Sequence, residues 1–309
     1  MKKTFATKFC RECLSCSFSP DDIIRFAKMT YPDYDIYESS GYPKGHPFST
    51  QDAAIQVIRD MIQDGYYIDF VETLIKIETS GYMGKKYKII GLDEVIDDVL
   101  EVGFNYDNTT GQFFEDQSQQ ITRNWGRLWE GDERQMAVIR LDIAGNSILV
   151  KENSKQLIDK AYNDLRKIVT NTVESRFGRL WSWEGDGGLA VFMLGKYSRS
   201  AIFSGIEVLN EMYFYNRMFN KLKTDVSLRI SVHSGDIVYS DDDQKCLKNE
   251  TIQKAINLES KAAVPNSLVI SDSLAVTQDQ SVLNIFGDAK TVSNTSYKYR
   301  IYQLSQGKN

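Results

Sequence analysis

From residue 136 onward the spacing of apolar residues switches repeatedly between two periods, and this alternation restricts the fold more than any other feature. Met136 to Ile143 reads as a strand, and Leu157, Ile158, Ala161, Leu165, Ile168, Val169 and Val173 then recur at helical spacing. Arg179 to Glu184 and Leu189 to Leu194 read as two strands, joined by the glycine-rich tip Gly185-Asp186-Gly187-Gly188. Ala201 to Asn220 reads as a second helix and Ser227 to His233 as a further strand. The order β-α-β-β-α-β predicts an α+β, ferredoxin-like (split βαβ) sheet with both helices on one face. A helix over 251–263 and strands near Leu268 and Tyr299 extend it.

Two acids occupy telling places in that order. Asp142 closes the first strand and opens a small-residue turn, Ala144-Gly145-Asn146-Ser147, while Asp186 sits at the hairpin tip. In a split βαβ sheet the first strand lies beside the central hairpin, so the two carboxylates are expected to converge. The glycines around Asp186 permit a sharp turn and a close approach by phosphate. Carboxylates offered this way hold hard cations, which bridge to phosphates. The pair points to chemistry on nucleoside triphosphates.

A chain of 309 residues accommodates two domains. Its net charge of −5 argues against a partner that is a nucleic acid polymer, gripped by phosphate neutralisation. A nucleotide enzyme is compatible with that charge, because bound metal brings its own. No apolar run reaches the roughly 20 residues that a membrane span needs, and the basic start Met1-Lys2-Lys3 precedes no apolar signal core. A cytoplasmic protein without membrane contact is expected. Three of the four cysteines fall in Cys10-x-x-Cys13-x-x-Cys16. An iron–sulfur run would want a cysteine where Pro20 stands, and zinc would need His46 or Cys246 besides. Reduced thiols packing a helix are the expectation, with metal as the alternative.

The first third is helical. Ser19-Pro20-Asp21-Asp22 and Ser49-Thr50-Gln51-Asp52 are helix starts, each followed by an apolar face, and Phe70 to Ile75 and Leu92 to Val102 read as further helices. Polar residues dominate from 104 to 132, although Trp125 and Trp129 at i,i+4 hint at a helix laid on a neighbour. The division expected is a small helical regulatory or contact domain over 1–115, a linker over 116–132, and the α+β domain over 133–309.

Residues 136 to 305 resemble a class III nucleotidyl cyclase catalytic domain. The resemblance rests on Leu141-Asp142-Ile143-x-Gly145, on Gly185-Asp186-Gly187 with Leu189-Ala190-Val191-Phe192, and on Leu228-Arg229-Ile230-Ser231-Val232-His233-Ser234-Gly235. It implies that Asp142 and Asp186, with the Ile143 carbonyl, hold two divalent ions (Mg or Mn), one activating the ribose 3′-hydroxyl and one neutralising pyrophosphate. Arg229 would bind phosphate oxygens. The family places an asparagine and an arginine four residues apart on the late helix. One register puts Gln253 and Asn257 there, the other Asn257 and Lys261, and neither supplies the arginine. Sites shared between two chains of a homodimer are implied as well, with Asn257 coming from the partner.

Base selection departs from the family pattern. Four residues before Asp186, where the purine cyclases carry lysine or glutamate, stands Ser182, flanked by Trp181 and Trp183. This resembles the bacterial pyrimidine cyclases of antiphage signalling, which make cyclic UMP or cyclic CMP for a downstream cyclic-nucleotide-sensing effector. An adenylate cyclase is the alternative, and a degenerate domain that only binds nucleotide is a third reading. A diguanylate cyclase is disfavoured, because Gly187-Gly188-Leu189 follow Asp186 where that group carries a Gly-Gly-Asp/Glu-Glu-Phe hairpin. Ser182, Trp183, Gln253, Lys261 and Lys298 complete the expected substrate contacts. His233 lacks a second histidine and reads as structural, and Asp241-Asp242-Asp243 reads as a solvated loop.

Overall fold

The computed structural model describes residues 6–118, 121–292 and 297–304. The chain divides into two compact units, Met1–Leu128 and Trp129–Asn309.

The first unit runs α1 (Ala6–Ser17), α2 (Pro20–Thr30), α3 (Ile36–Ser40), α4 (Thr50–Gln63), α5 (Tyr67–Ser80), α6 (Leu92–Glu101), then a hairpin of β1 (Phe104–Asp107) and β2 (Gln112–Glu115). Two of its helices start as their sequences predict. Ser19 accepts from the Asp22 amide at 3.3 Å with Pro20 in the first turn, and Ser49 accepts from Asp52 at 3.1 Å. In α1 Cys10, Cys13 and Leu14 form a buried stripe, whereas Cys16 is exposed. Burial pushes the Cys10 thiol well above its usual range and pushes Cys13 up to about 12, so both behave as core residues. Among the described residues no three His, Cys, Asp or Glu side chains gather into a metal cage.

Two expectations for this region fail. The stretch 104–115, read as polar and given no strand, is a hairpin, because Asp107 turns back to accept from the amides of Thr109 and Thr110 and Gly111 closes the turn at φ 72°. The stretch expected to be a linker is built into the first unit as far as Leu128. Trp125 is fully buried in a turn at φ 54° and Trp129 is exposed, so the two do not share a helix. Arg127 explains the docking. Its guanidinium reaches Glu72 at 2.8 Å and Asp69 at 2.7 Å on α5, and donates to the Phe113 carbonyl at 2.9 Å on β2. Other polar residues of the stretch are bonded within the unit as well: the Thr122 amide donates to Glu115 at 2.9 Å and the Thr122 hydroxyl to Asn124 Oδ1 at 2.7 Å.

The second unit runs β3 (Glu133–Ile143), α7 (Asn146–Glu152), α8 (Lys155–Glu174), β4 (Arg179–Glu184), β5 (Gly187–Phe192), α9 (Tyr197–Met218), β6 (Leu228–Val238), α10 (Asp243–Leu247), α11 (Glu250–Ala262), β7 (Ser267–Ser271), α12 (Asp272–Val276), α13 (Gln280–Leu283), β8 (Lys290–Thr291) and β9 (Lys298–Gln303). Its sheet has the order β4-β5-β3-β6-β7-β9-β8, with the first four strands antiparallel throughout. That is the predicted ferredoxin-like core, extended by β7 in parallel with β6 and by the β8–β9 ribbon. One face is covered by α8 and α9. Ala137, Ile139, Leu141 and Ile143 of β3 share a core with Leu165 and Val169 of α8 and Val208 and Leu209 of α9. Alternation then places Arg140 and Asp142 on the other face. On that face α11 lies over β6 and β7, with the Ser231 hydroxyl donating to the Ala255 carbonyl at 2.7 Å and Leu258 packed on Val269.

Candidate active site

Asp142 is the last outward residue of β3, opposite Gly187 of β5 and Arg229 of β6 in the ladder. Its Oδ2 accepts from Arg229 Nη2 at 2.8 Å, and its Oδ1 stands 4.0 Å from Arg140 Nη2. Oδ1 also lies over Gly187, where an added Cβ would come within 2.8 Å of it and within 2.6 Å of the Leu141 carbonyl. The glycine is there because β5 must pass beneath this carboxylate.

Asp186 occupies the tip between β4 and β5, with Gly185 at φ 56° making the turn and Trp183 Nε1 donating to the Gly185 carbonyl at 3.2 Å. The Asp186 carboxyl is raised above its usual range, first by burial and then by the like charge of Asp142. Arg140 and a hydrogen bond from the Asn146 amide oppose that rise. Tyr162 of α8 donates to Asn146 Oδ1 at 2.6 Å, which turns the amide nitrogen toward Asp186. The predicted convergence of the two acids is therefore what the sheet order produces.

Four participants were not expected from sequence. Arg140 stands two residues before Asp142 on the same strand face, a spacing that could have found it. Asn146 and Tyr162 orient the tip. Glu259 of α11 is buried, with Oε1 at 2.7 Å from Arg229 Nε. Its carboxyl is raised, first by burial, with Arg229 pulling the other way.

The remaining expected residues fall elsewhere. Ile143 directs its side chain into the helix-covered core, beside Asp142 in the chain. A β-bulge at Trp181 shifts the strand register, so that Ser182 pairs with Leu189 on the face of Arg140 while Trp183 packs over Gly188 against the helix-side core. Trp183 thus lines that core, off the face that carries Asp142. Gln253 spends its amide on the Leu247 carbonyl at 2.6 Å, capping the end of α10. Asn257 and Lys261 are exposed on α11. Lys298 is exposed and pairs with Thr291, beyond the Ser271–Tyr299 pair, whereas Arg229 lies level with Ser267 and Gln303. It stands at the opposite end of the sheet from Asp142. His233 is buried with Nδ1 at 2.8 Å from the Ser271 hydroxyl, consistent with a structural residue. In the acidic loop Asp241 accepts from the Tyr239 hydroxyl and Asp242 caps α10.

The donors at Asp142 and Asp186 fit a divalent cation by their chemistry. They are oxygen ligands only, and the two acids repel one another, a cost that a cation would reverse. The Ile143 carbonyl is a further oxygen in the same segment.

No family model matches the sequence, and no curated protein does. Among the described residues no helix is long and apolar enough to cross a membrane. Solved structures to which the chain is similar include the adenylate/guanylate cyclase/hydrolase of Silicibacter pomeroyi, at 22% identity over 57% of this chain and 99% of that one, TM-score 0.47. The adenylyl cyclase CyaB of P. aeruginosa is similar at 16% identity over 58% and 98%, TM-score 0.48. The guanylyl cyclase domain of the RhoGC fusion protein of Blastocladiella emersonii is similar at 15% identity over 56% and 98%, TM-score 0.46.

Proposed function

We propose that this protein is a nucleotidyl cyclase, converting a nucleoside triphosphate to a 3′,5′-cyclic nucleotide and pyrophosphate. The observation that carries the reading is the meeting of Asp142 and Asp186 at one end of the β3–β5 pair, with Arg229 in cross-strand register beside them. Asp142, Asp186 and the Ile143 carbonyl are the ligands for divalent cations, Mg or Mn. When bound, such cations supply Lewis acidity at the α-phosphorus and lower the pKa of the attacking 3′-hydroxyl. Arg229 and Arg140 lie where polyphosphate oxygens would need positive charge, and a guanidinium offers them a bidentate fork. Asn146, held by Tyr162, fixes the Asp186 tip.

Asn257 and Lys261 face solvent on α11, a placement that suits donation to the site of a second copy. The enzyme we infer is a homodimer with two shared sites, in which these residues orient ribose and phosphate across the interface. The first unit is a regulatory or contact module. Ser182 lies on the active face without the lysine or glutamate that reads a purine, so UTP or CTP is the favoured substrate and ATP the alternative. A pyrimidine product would serve antiphage signalling through a cyclic-nucleotide-sensing effector. A second reading, a module that binds nucleotide without turnover, draws on the contact between Arg229 and Asp142, which occupies a metal-ligating oxygen.

The test is incubation with each of the four ribonucleoside triphosphates and Mn²⁺, following pyrophosphate and cyclic product. Turnover that disappears in Asp142→Ala and Asp186→Asn supports the cyclase. Nucleotide binding with no pyrophosphate released favours the module, and cyclic AMP alone ends the pyrimidine assignment. Mixing Asp142→Ala with Asn257→Ala chains should restore one site per heterodimer, and failure to do so counts against shared sites.

A further inference from the structure

Arg229 is held from two sides by carboxylates, and only one of them belongs to the machinery proposed above. Nη2 donates to Asp142 at 2.8 Å, while Nε stands 2.7 Å from Glu259 Oε1. The second contact lacks hydrogen-bond alignment, so it is an ion pair held by charge and proximity. Glu259 sits on the sheet-facing side of α11, level with Ala255, Leu258 and Ala262, with its side chain only 5% exposed. A carboxylate buried among apolar neighbours gives up its hydration, and an alanine or leucine would pack there at less cost. What Glu259 offers in return is its hold on Arg229.

The charges on this face explain why that hold matters. Asp142, Asp186 and Glu259 are acidic, and Arg140 and Arg229 are basic, so three acids face two arginines. The face keeps one negative charge in excess, which favours a cation. Were Glu259 neutral, that excess would vanish and Arg229 would have Asp142 as its single anionic partner. A guanidinium seated on Asp142 competes directly with any cation for the same oxygen.

Resting on the cyclase reading, we propose that Glu259 is a positioning residue: by sharing the Arg229 guanidinium with Asp142 it weakens the arginine's hold on that carboxylate and so keeps it available to a divalent cation. The prediction has a sign that mere structural support would not produce. Neutralising Glu259 alone weakens cation binding, whereas neutralising Glu259 and Arg229 together removes both the attraction and the competitor.

The experiment is calorimetric titration of the full chain with Mn²⁺ alone, without nucleotide. Glu259→Gln keeps the shape of the side chain and is expected to weaken Mn²⁺ binding about tenfold. The double variant Glu259→Gln/Arg229→Gln is expected to bind Mn²⁺ as tightly as the parent, or tighter. Because it leaves no lone buried charge, it keeps the idea testable even where the single variant loses structure, and melting curves report on folding in each. Unchanged affinity in a folded Glu259→Gln protein, or a double variant weaker than the single, overturns the proposal. Asp142→Ala separates this from the reading beneath it. Full Mn²⁺ binding in that variant removes the cation site itself, while lost binding there with no effect of Glu259→Gln removes the positioning role alone.

Discussion

Gly187→Ala is the substitution that most directly probes how β5 passes under Asp142. An added Cβ would stand 2.6 Å from the Leu141 carbonyl oxygen and 2.8 Å from Asp142 Oδ1, with Arg140 Nη2 at 3.3 Å. The first neighbour is backbone, locked in the β3–β5 ladder, and cannot swing aside. Relief therefore comes from parting the strands or from rotating the Asp142 carboxylate off its 2.8 Å contact with Arg229. Overpacking of this kind costs about 1–3 kcal/mol, which for a unit of this size lowers the melting temperature by roughly 2–4 °C per kcal/mol. Gly185→Ala is the matched control. Gly185 adopts φ 56° with nothing within 4 Å of the added carbon, so it carries only the left-handed backbone penalty of about 1–2 kcal/mol. Differential scanning calorimetry and Mn²⁺ titration of the two variants check the argument. The expected pattern is that Gly187→Ala lowers both melting temperature and Mn²⁺ affinity, while Gly185→Ala lowers the melting temperature alone. If Gly187→Ala binds Mn²⁺ as the parent does, the carboxylate does not lie over that glycine and the site geometry is wrong.

Other residues give independent checks. Burial and the nearby Lys254 lower the His233 pKa from 6.5 to about 4, so the folded state resists a proton that the unfolded chain accepts. Above 6.5 both states are neutral and nothing is lost; as pH falls toward 4 stability declines, by about 2 kcal/mol at pH 5. Urea unfolding of His233→Gln should show that much less acid sensitivity between pH 6.5 and 5, and parallel curves would contradict the linkage. Arg127→Leu leaves Glu72 and Asp69 without their cation and should destabilise the first unit by about 3–5 kcal/mol, read as an early calorimetric transition. Tyr34→Phe removes a 2.7 Å donor from the buried Asp60 carboxylate, which still accepts from Ser39 and Gln56, and a loss of about 1–2 kcal/mol in urea unfolding is expected.

What could be read from the sequence was local or periodic, and what escaped it depended on distant partners. Asp142 and Asp186 were visible because one closes a strand before a small-residue turn and the other sits at a glycine-rich hairpin tip, and the β-α-β-β-α-β order sufficed to bring them together. The β1–β2 hairpin was missed because Asn108-Thr109-Thr110-Gly111 is equally good as a turn and as a linker, and strands of four residues carry too little alternation to decide. Trp183 was named beside Ser182 as a substrate contact, yet successive residues of a strand point to opposite faces, and its pairing with Gly188 puts Trp183 on the helix side. Arg127 looked like a linker residue because its partners lie 55 and 58 residues earlier in the chain.

Glu259 marks the same boundary from the other side. Four residues after Ala255 and three before Ala262, it stands at a position that helical spacing assigns to the sheet-facing side of α11, and only its charge argued for solvent. Where period and polarity disagree, the physical resolution is a partner that the local sequence does not contain. Here that partner is Arg229, thirty residues upstream on β6 and already bound to Asp142. A charged residue at a core-facing position is therefore evidence about a site elsewhere in the chain. In α11 it tells that the helix does more than cover the sheet, because its buried acid sets how strongly an arginine competes for the carboxylate beside the hairpin tip.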